Sequence, residues 1–308
     1  MNLHDVIIIG SGSAGYTAAI YACRAGRKTL LLAGSIPGGQ LMVTSDVENF
    51  PGFPQGILGP ELMENLRKQA ERFGPEIIYE DVSKVDFSNR PFAVTAGAHT
   101  HQGKTVIIAT GANAKWLGIP SESKFKGKGV SSCATCDGFF FKDKEVAVVG
   151  GGDTAMEEAS FLANITRKVT VVHRRDKLRA SQIMQDRVVN NPRVQFVWDS
   201  RVREILGDQK VSGVRLENVK TKRESTLNAD GVFVAIGYDP NTEVFKGAVD
   251  LDSKGYVVTK HETETSVPGV FAAGDVRDYR YRQAITAASD GCKAAIDADR
   301  FLAEHYKS

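Results

Sequence analysis

Residues 5–15 read DVIIIGSGSAG and residues 145–155 read EVAVVGGGDTA, and both follow the same pattern. Each places a short β-branched run before a glycine-rich turn. An apolar helical pattern follows, TAAIYACRAG after the first turn and MEEASFLANI after the second. Strand, glycine turn and helix in this order begin a nucleotide-binding βαβ unit. The turns start at Gly10 and Gly150, an offset of 140 residues (150 − 10), so the sequence predicts this unit twice.

The length of the chain agrees with two domains. At 308 residues it exceeds the size at which one hydrophobic core usually keeps growing. The runs TVIIATG (105–111) and GVFVAIG (231–237) end alike and are predicted to close the two nucleotide-binding domains. We therefore expect an α/β protein with two Rossmann-like domains, the second inserted in the first. Residues 1–114 and 244–308 would form one domain and residues 115–243 the other.

The end of the second strand of each unit faces the adenosine ribose, so the residues there indicate which dinucleotide binds. In the second unit this position holds His173, Arg174 and Arg175, with Arg179 one helical turn further on. Guanidinium groups pair bidentately with phosphate, which favours NADP over NAD. A solvated basic helix start is the alternative. Arginine at a helix N-terminus opposes the helix dipole unless an anion is bound, so we prefer the NADP interpretation.

The first unit differs at the same position. Its residues there are Ala33, Gly34 and Ser35, which supply neither an acid nor a base, so we expect FAD instead. Further along, PGVFAAGDV (268–276) predicts a strand that runs into Gly274 and Asp275. An aspartate at the carboxyl end of a strand can accept hydrogen bonds from sugar-alcohol hydroxyls, although a plain turn is the simpler interpretation.

Residues 131–138 read SSCATCDG, and the pair Cys133 and Cys136 could be a metal half-site, a structural disulfide or a redox couple. Zinc needs four ligands, but the chain has no second CxxC, and His99 and His101 indicate an exposed hairpin, so no metal site is predicted. A disulfide over so short a loop restricts the unfolded chain little, and a reducing cytosol would open it. A redox couple fits best. Asp137 beside the pair could exchange the proton during reduction or cap a helix.

Composition argues against several other classes of protein. The 39 basic and 37 acidic residues give a formal charge of +2, which favours neither nucleic acid nor an anionic membrane as a partner. The start, MNLHDVIIIG, has only a short apolar run, too short for a signal peptide or a membrane span, so we expect a cytoplasmic protein. Four cysteines are too few for a disulfide scaffold, and Cys23 and Cys292 are expected to be buried small hydrophobic residues.

Eight motifs occur in order along the chain: GSGSAG (10–15), GGQL (38–41), VENFPGFP (47–54), ATG (109–111), CATCDG (133–138), GGGDTAMEEA (150–159), HRRDKLRAS (173–181) and GDVRDYRYRQA (274–284). In order and spacing they resemble the low-molecular-weight, bacterial-type thioredoxin reductases, and the resemblance covers essentially the whole chain. It departs at Ser13, where the family usually has proline, and at Ser289 and Asp290, where the family has a smaller pair.

The resemblance implies two sets of cofactor-binding residues. For FAD these are Gly10, Gly12, Ser13, Ala14, Gly15, Gly39, Gln40, Leu41, Asn49, Val82, Thr110, Gly111, Gly274, Asp275, Arg282, Gln283 and Ala284. For NADPH they are Gly150, Gly152, Asp153, Thr154, Ala155, His173, Arg174, Arg175, Arg179, Ile236 and Gly237. The implied catalytic residues are Cys133, Cys136 and Asp137, and no metal is implied.

The resemblance also implies an activity, that of a thioredoxin-disulfide reductase (EC 1.8.1.9). Hydride would pass from NADPH to FAD, and electrons would pass on to the Cys133–Cys136 disulfide and then to a thioredoxin-like protein. Cys136 would be the sulfur that faces the flavin, and Cys133 the one that attacks the partner. A homodimer and a rotation between the two domains are implied as well. A dithiol oxidase, a ferredoxin-fed reductase and a sensing module without turnover remain alternatives; the arginine cluster argues against the second and the intact CATCDG against the third.

Overall fold

The computed structural model describes residues 3–44 and 46–306, which divide into two α/β units. The first unit comprises residues 1–113 and 239–308, and the second comprises residues 114–238. The first unit is therefore built from two separate segments of the chain. Within the part of the chain that the structure describes, no helix combines the length and the apolar character needed to cross a membrane.

A largely parallel sheet forms the centre of the first unit. Up to the first crossing into the second unit, its elements are β1 (Leu3–Ile9), α1 (Ser13–Arg24), β2 (Thr29–Leu32), β3 (Asp46–Val47), β4 (Ile57–Leu58), α2 (Gly59–Glu71), β5 (Glu76–Ile78), β6 (Val82–Asp86), β7 (Phe92–Ala96), β8 (His99–Ile108) and β9 (Ala112–Ala114). The strand order is β5-β2-β1-β8-β7-β6; β1, β2, β5 and β8 are parallel, and β7 is antiparallel to both of its neighbours, β8 and β6.

The second unit contains a fully parallel sheet and a smaller antiparallel one. Its elements are α3 (Pro120–Phe125), β10 (Val130–Ser131), α4 (Ala134–Asp137), β11 (Glu145–Val149), α5 (Asp153–Ile165), β12 (Lys168–Val172), α6 (Gln182–Val189), β13 (Val194–Val197), β14 (Ser200–Gly207), β15 (Val211–Asn218), β16 (Glu224–Asn228) and β17 (Gly231–Val234). The parallel sheet has the order β10-β17-β11-β12-β13, and the antiparallel sheet has the order β14-β15-β16.

The chain then returns to the first unit. Strand β18 (Tyr238–Pro240) pairs with β9, and β19 (Val270–Ala272) adds to the first sheet parallel to β8. The last helix, α7 (Ala284–His305), packs along α1. Because β19 joins beside β8, the turn that follows it at residues 274–276 lies at the same edge of the sheet as the end of β1.

Alternate residues of the two glycine-loop strands fill two cores on opposite faces of each sheet, as the period of two in a strand requires. In β1, Val6 and Ile8 belong to the core under α1 and α7, whereas Ile7 and Ile9 belong to the core on the other face. In β11, Val146 and Val148 pack against α5, whereas Ala147 and Val149 pack against the three-stranded sheet. Both strands are thus buried on both faces, which explains their unbroken apolar runs.

Candidate active site and cofactor sites

The first glycine loop, between β1 and α1, is closed on one side and open on the other. Gly10 has a φ of +108°, and a Cβ built on it would lie 2.3 Å from the carbonyl oxygen of Ala109. A Cβ on Gly15 would lie 1.8 Å from the carbonyl oxygen of Gly10. A Cβ on Gly12 would meet nothing within 4 Å. Gly10 and Gly15 therefore allow the backbone to pack closely, and Gly12 leaves space beside the loop.

The residues predicted for FAD gather around this loop within the first unit. Gly39 begins a 3₁₀ turn and lies against Gly12, since a Cβ on Gly39 would be 3.6 Å from the Gly12 Cα. Gly274 lies against the other side, where its Cβ would be 3.1 Å from the Ala14 Cβ. The Asn49 side chain donates to Gln283 Oε1 at 3.2 Å. Sequence segments far apart in the chain thus meet at one place.

Two asparagines complete this cluster, and sequence reasoning missed them. Gln40 Nε2 donates to Asn113 Oδ1 at 2.8 Å, and Asn113 Nδ2 donates to Asn241 Oδ1 at 2.9 Å. Asn241 Nδ2 in turn donates to the carbonyl oxygen of Thr110 at 2.9 Å, and the Thr110 hydroxyl donates back to the Asn241 carbonyl at 2.8 Å. Neither asparagine belongs to a recognisable motif, so only the fold brings them to the predicted residues Gln40 and Thr110.

The carboxyl group of Asp275 has a raised pKa. Asp275 is half-buried at the turn after β19, and its side chain has no hydrogen-bond partner among residues 3–44 and 46–306. Burial, with smaller contributions from the carboxylates of Asp278 and Asp290, raises the pKa of Asp275 to about 7, while Arg282 acts in the opposite direction. A carboxyl group in this state gains most from a ligand that supplies hydrogen-bond donors.

An acid lies beside Ser35 in the structure, although residues 33–35 supply none themselves. The Asp81 carboxylate accepts hydrogen bonds from the Ser35 backbone N–H at 2.9 Å and from the Ser35 hydroxyl at 2.6 Å. These bonds lower the pKa of Asp81. The acid follows β5 in the chain rather than β2, so inspection of the residues after β2 could not find it. The predicted residue Val82 is its immediate neighbour.

The second glycine loop, between β11 and α5, has the same construction. Gly150 has a φ of +157°, and its Cβ would lie 2.3 Å from the Ala235 carbonyl oxygen. A Cβ on Gly151 would lie 2.3 Å from the His173 ring, whereas one on Gly152 would meet nothing within 4 Å. The predicted residues Asp153, Thr154 and Ala155 form the first turn of α5, and Ile236 and Gly237 follow β17. The open side again lies at the helix start.

The predicted arginines line an open cavity of about 240 Å³ at the end of β12, together with Asp176, Lys177, Leu178, Asp199, Val219 and Lys220. Arg174, Arg175 and Arg179 are exposed, and none forms an ion pair with any residue that the structure describes. Lys220 differs, because its ammonium lies 3.0 Å from both Asp176 and Asp199. The cavity therefore holds three uncompensated guanidinium groups.

His173 lies beneath this cluster and is buried. Burial is the main cause that lowers its pKa, and the positive charges of the three arginines lower it further, although a hydrogen bond of its ring to the Lys177 carbonyl opposes them. The lowered pKa favours a neutral imidazole that supports the glycine loop, so His173 adds no charge to the arginines and lysines that line the cavity.

Cys133 and Cys136 form a disulfide across the start of α4, with their Cα atoms 5.3 Å apart. Cys133 is half-buried and Cys136 is exposed. The backbone N–H of Ala134, between them, donates to Glu158 Oε2 on α5 at 2.5 Å. The Tyr238 hydroxyl donates to the Ser132 carbonyl at 2.7 Å. The redox pair is thus held against the helix that begins at the second glycine loop.

Asp137 is the last residue of α4, and its backbone N–H donates to the Cys133 carbonyl at 3.1 Å. Burial raises the pKa of the Asp137 carboxyl, and a hydrogen bond with Ser131 acts in the opposite direction. The Asp137 carboxyl therefore keeps its proton to a higher pH than an ordinary aspartate does. A group that exchanges a proton with a neighbouring thiolate needs such a raised pKa.

The chain matches the family described as pyridine nucleotide-disulphide oxidoreductase over residues 4–291. Thioredoxin reductase of Streptomyces coelicolor is 57% identical over 305 residues, which cover 98% of this chain and 95% of that protein. The Rickettsia conorii enzyme is 55% identical over 302 residues, covering 96% and 97%. Among solved structures, thioredoxin reductase from Giardia duodenalis matches with a TM-score of 0.95 and 47% identity, covering 98% of this chain and all of the other.

The chain belongs to the thioredoxin reductases. The low-molecular-weight type is confirmed, since the matching region of about 305 residues spans the whole chain. The α/β fold with Rossmann-like sheets is confirmed as well. A member of this family is an NADPH-dependent flavoprotein disulfide reductase (EC 1.8.1.9), so FAD and NADPH are the cofactors of this chain.

The residues present fit both cofactors. Gly12 and Gly152 each leave open space at a helix start, where a pyrophosphate can approach the backbone N–H groups. Asp275, with its raised pKa and no hydrogen-bond partner among the described residues, suits the hydroxyl groups of a flavin side chain. The three uncompensated arginines of the second unit suit a ribose phosphate.

Two other expectations meet different outcomes. Cys23 and Cys292 are half-buried rather than buried, because each lies outside the hydrophobic cores, with its thiol beside a hydroxyl: Cys23 beside Thr29 and Cys292 beside Tyr21. The hairpin at His99 and His101 forms between β7 and β8, with His99 exposed and His101 half-buried. Among residues 3–44 and 46–306, no three histidine, cysteine or carboxylate side chains are arranged to hold a metal ion.

Proposed function

We propose that this disulfide reductase passes electrons from NADPH through FAD to a thioredoxin, and that the residues assigned above carry those steps. The observation that supports this most strongly is the position of the Cys133–Cys136 disulfide. It lies on a short helix bonded to α5 through Glu158, in the same unit as the arginine-lined cavity. A redox-active pair held beside a nucleotide loop is suited to electron transfer rather than to structural support.

The first unit, residues 1–113 and 239–308, would hold FAD through Gly12, the asparagine cluster and Asp275. The second unit, residues 114–238, would hold NADPH through Gly152 and Arg174, Arg175 and Arg179. When bound, NADPH would supply a hydride, and FAD would pass the two electrons of that hydride to the disulfide. We propose both which unit binds each cofactor and which residues of that unit contact it.

The cysteines then reduce the partner by thiol–disulfide exchange. The Cys133 thiolate attacks one sulfur of the partner disulfide, forming a mixed disulfide and releasing the other sulfur as a thiolate. The Cys136 thiolate next attacks the Cys133 sulfur, which restores the Cys133–Cys136 disulfide and releases the partner as a dithiol. Two electrons pass to the partner. Cys133 and Cys136 give up two protons as they become thiolates; Asp137 holds one of them for transfer, and the two thiolates of the partner take up two protons.

We also propose a homodimer in the cytoplasm. Reduced thioredoxin must keep both of its thiols until it meets an oxidised protein. The cytoplasm is the compartment that keeps thiols reduced. The family resemblance is what supports the dimer. Size-exclusion chromatography coupled to light scattering would test the dimer by giving the mass of the particle in solution.

The test of the function combines a turnover assay with a trapping experiment. NADPH oxidation should require thioredoxin and a disulfide reporter, and it should be lost in Cys133→Ser and in Cys136→Ser but retained in the control Cys23→Ser. Exposure alone would favour Cys136 as the attacking sulfur, so trapping decides between them. The Cys136→Ser variant should accumulate a mixed disulfide with thioredoxin through Cys133. If only Cys133→Ser traps the partner, the two roles are reversed, and activity in either variant removes the pair from the mechanism.

A further inference from the structure

Helix α7 ties together two parts of the proposed flavin site. At Gly291 it approaches the first glycine loop so closely that a Cβ would lie 2.1 Å from the Ala14 carbonyl oxygen. Gly274, on the far side of the site, packs against the same two elements, with its Cβ position 3.1 Å from the Ala14 Cβ and 3.3 Å from the Ala287 Cβ. A displacement of α7 would therefore move the glycine loop and the Gly274 turn together.

Asp290, next to Gly291, fastens the turn to the helix. It is buried, and its Oδ2 accepts a hydrogen bond from the Gly274 backbone N–H at 3.2 Å. The same oxygen accepts from Arg277 Nη1 at 2.8 Å. One carboxylate oxygen thus holds both ends of the segment that contains Asp275.

The Gly274 turn is also held by its own backbone hydrogen bonds, since the Arg277 and Asp278 N–H groups donate to the Gly274 carbonyl oxygen at 3.0 and 2.9 Å. Gly274 has a φ of +75°, a conformation that glycine adopts readily, and the 3₁₀ turn that it begins spans only Gly274–Val276. The Asp290 bond holds the N–H of the Ala273–Gly274 peptide, so together with these backbone bonds it constrains the backbone immediately before Asp275. The bond therefore acts on Asp275 without touching it.

The charges around the turn explain why Arg277 is needed. Asp275, Asp278 and Asp290 are three acids close together, and a buried carboxylate without a partner is costly. Arg282 faces Asp275, whereas Arg277 faces Asp290. One turn along α7, Lys293 pairs with Glu262 at 2.7 Å. Arg277 is thus the cation that compensates Asp290 directly.

We propose that Asp290 and Arg277 are positioning residues of the flavin site, acting together to orient the Gly274 peptide and so the Asp275 side chain. The inference rests on the proposed assignment of FAD to the first unit. The Asp290–Arg277 ion pair would then affect FAD affinity as well as stability.

The experiment measures the FAD dissociation constant of the full chain by the recovery of flavin fluorescence, in parallel with the thermal midpoint. Asp290→Ala removes the acceptor and Arg277→Gln leaves Asp290 uncompensated, and each should weaken FAD binding about tenfold, the effect of losing one hydrogen bond to a charged group. Asp290→Asn keeps an acceptor for the Gly274 N–H and should recover part of the loss. The double variant Asp290→Ala with Arg277→Gln should lose less than the two single variants combined.

Lys293→Gln is the matched control, because it breaks an ion pair of the same helix whose bond partner is Glu262; its charge acts on Asp290 and Arg277 only through space. Hydrogen exchange provides a second readout, in which the Gly274 amide should exchange faster in Asp290→Ala than in the control. If the thermal midpoint falls in the Asp290 and Arg277 variants while their FAD affinity equals that of the control, the ion pair is purely structural and the inference is overturned. A wild type that binds no FAD would overturn the proposed function itself, whereas a wild type that binds FAD as tightly as every variant would overturn only the inference.

Discussion

Arg174 and Arg175 show how a single residue type can select a cofactor. Both are exposed, line the cavity at the end of β12, and have no ion-pair partner among the described residues. Replacing both by alanine should raise the KM for NADPH far more than the KM for NADH, because each arginine loses charge-assisted bonds of about 1.5–3 kcal/mol to the phosphate. Steady-state kinetics with both nucleotides measure the change.

The same cavity supplies the control. Lys220→Gln removes a positive charge that is already compensated by Asp176 and Asp199. It should change the preference for NADPH far less than the loss of the arginines. A double arginine variant that keeps the wild-type preference would show that the phosphate binds elsewhere.

Asp275 predicts a pH dependence of FAD binding. In the free protein burial raises its pKa to about 7, so the carboxyl is largely protonated below that pH. If FAD hydroxyls donate to the carboxylate, binding favours the ionised form and lowers the pKa. FAD affinity should therefore rise as the pH increases from about 5 to about 7 and then level off. Fluorescence titrations across this range measure it. Asp275→Asn should show a flat profile, and an affinity that falls with rising pH would contradict this role.

At the scale of residues, sequence reasoning works where a role is fixed by neighbours in the chain. The arginines after β12 and the cysteines around α4 occur at fixed distances from their elements, so motif spacing predicts them. Asp81, Asn113 and Asn241 do not. Each reaches its partner only through the pairing of strands and the crossing of the chain between units, a long-range property that no local pattern carries.

At the scale of elements, some glycines of a nucleotide loop allow close packing, and others leave room for the ligand to approach. Gly15→Ala would place a Cβ 1.8 Å from the Gly10 carbonyl oxygen, so the loop must shift, at a cost of about 1–3 kcal/mol. Gly12→Ala meets nothing within 4 Å and should leave the fold intact. We expect Gly15→Ala to lower both the thermal midpoint and the FAD content, and Gly12→Ala to lower FAD affinity alone. Calorimetry and flavin absorbance distinguish them, and an unchanged FAD affinity in Gly12→Ala would exclude a pyrophosphate at that position.

The elements that begin each unit were predictable because their patterns are strong. The strand predicted at 145–149 is β11 itself, and the helical pattern after it becomes α5. The antiparallel strands β14, β15 and β16 were not predicted. Their apolar residues, such as Val202, Val214 and Leu216, alternate with charged ones and complete a core only when folded over β11 and β17. That tertiary partner, not a local motif, gives them their stability.

At the scale of the whole molecule, the near balance of charge leaves any attraction for a protein partner to local groups. The stretch FKGKGVSSC places Lys124, Lys126 and Lys128 shortly before Cys133, in the same unit as the disulfide. The Lys124 ammonium lies 4.8 Å from the Phe125 ring and that of Lys126 lies 3.7 Å from the Trp116 ring. Lys128 is exposed, with no side-chain contact of this kind to the residues that the structure describes. It is therefore the lysine best placed to meet a partner.

Lys128→Glu should lower kcat/KM for thioredoxin, with the largest loss at low ionic strength, because steering by exposed charges acts on the association rate and is screened by salt. Reduction of a small uncharged disulfide should be nearly unchanged, since it does not depend on docking. Lys222→Glu, on the turn between β15 and β16 of the same unit, makes the same change in net charge and should have a smaller effect. Stopped-flow measurements at several salt concentrations give the comparison. Equal losses with both substrates would mean that Lys128 supports the structure around Cys133, and equal losses in both variants would mean that net charge, rather than a docking surface beside the disulfide, governs the encounter.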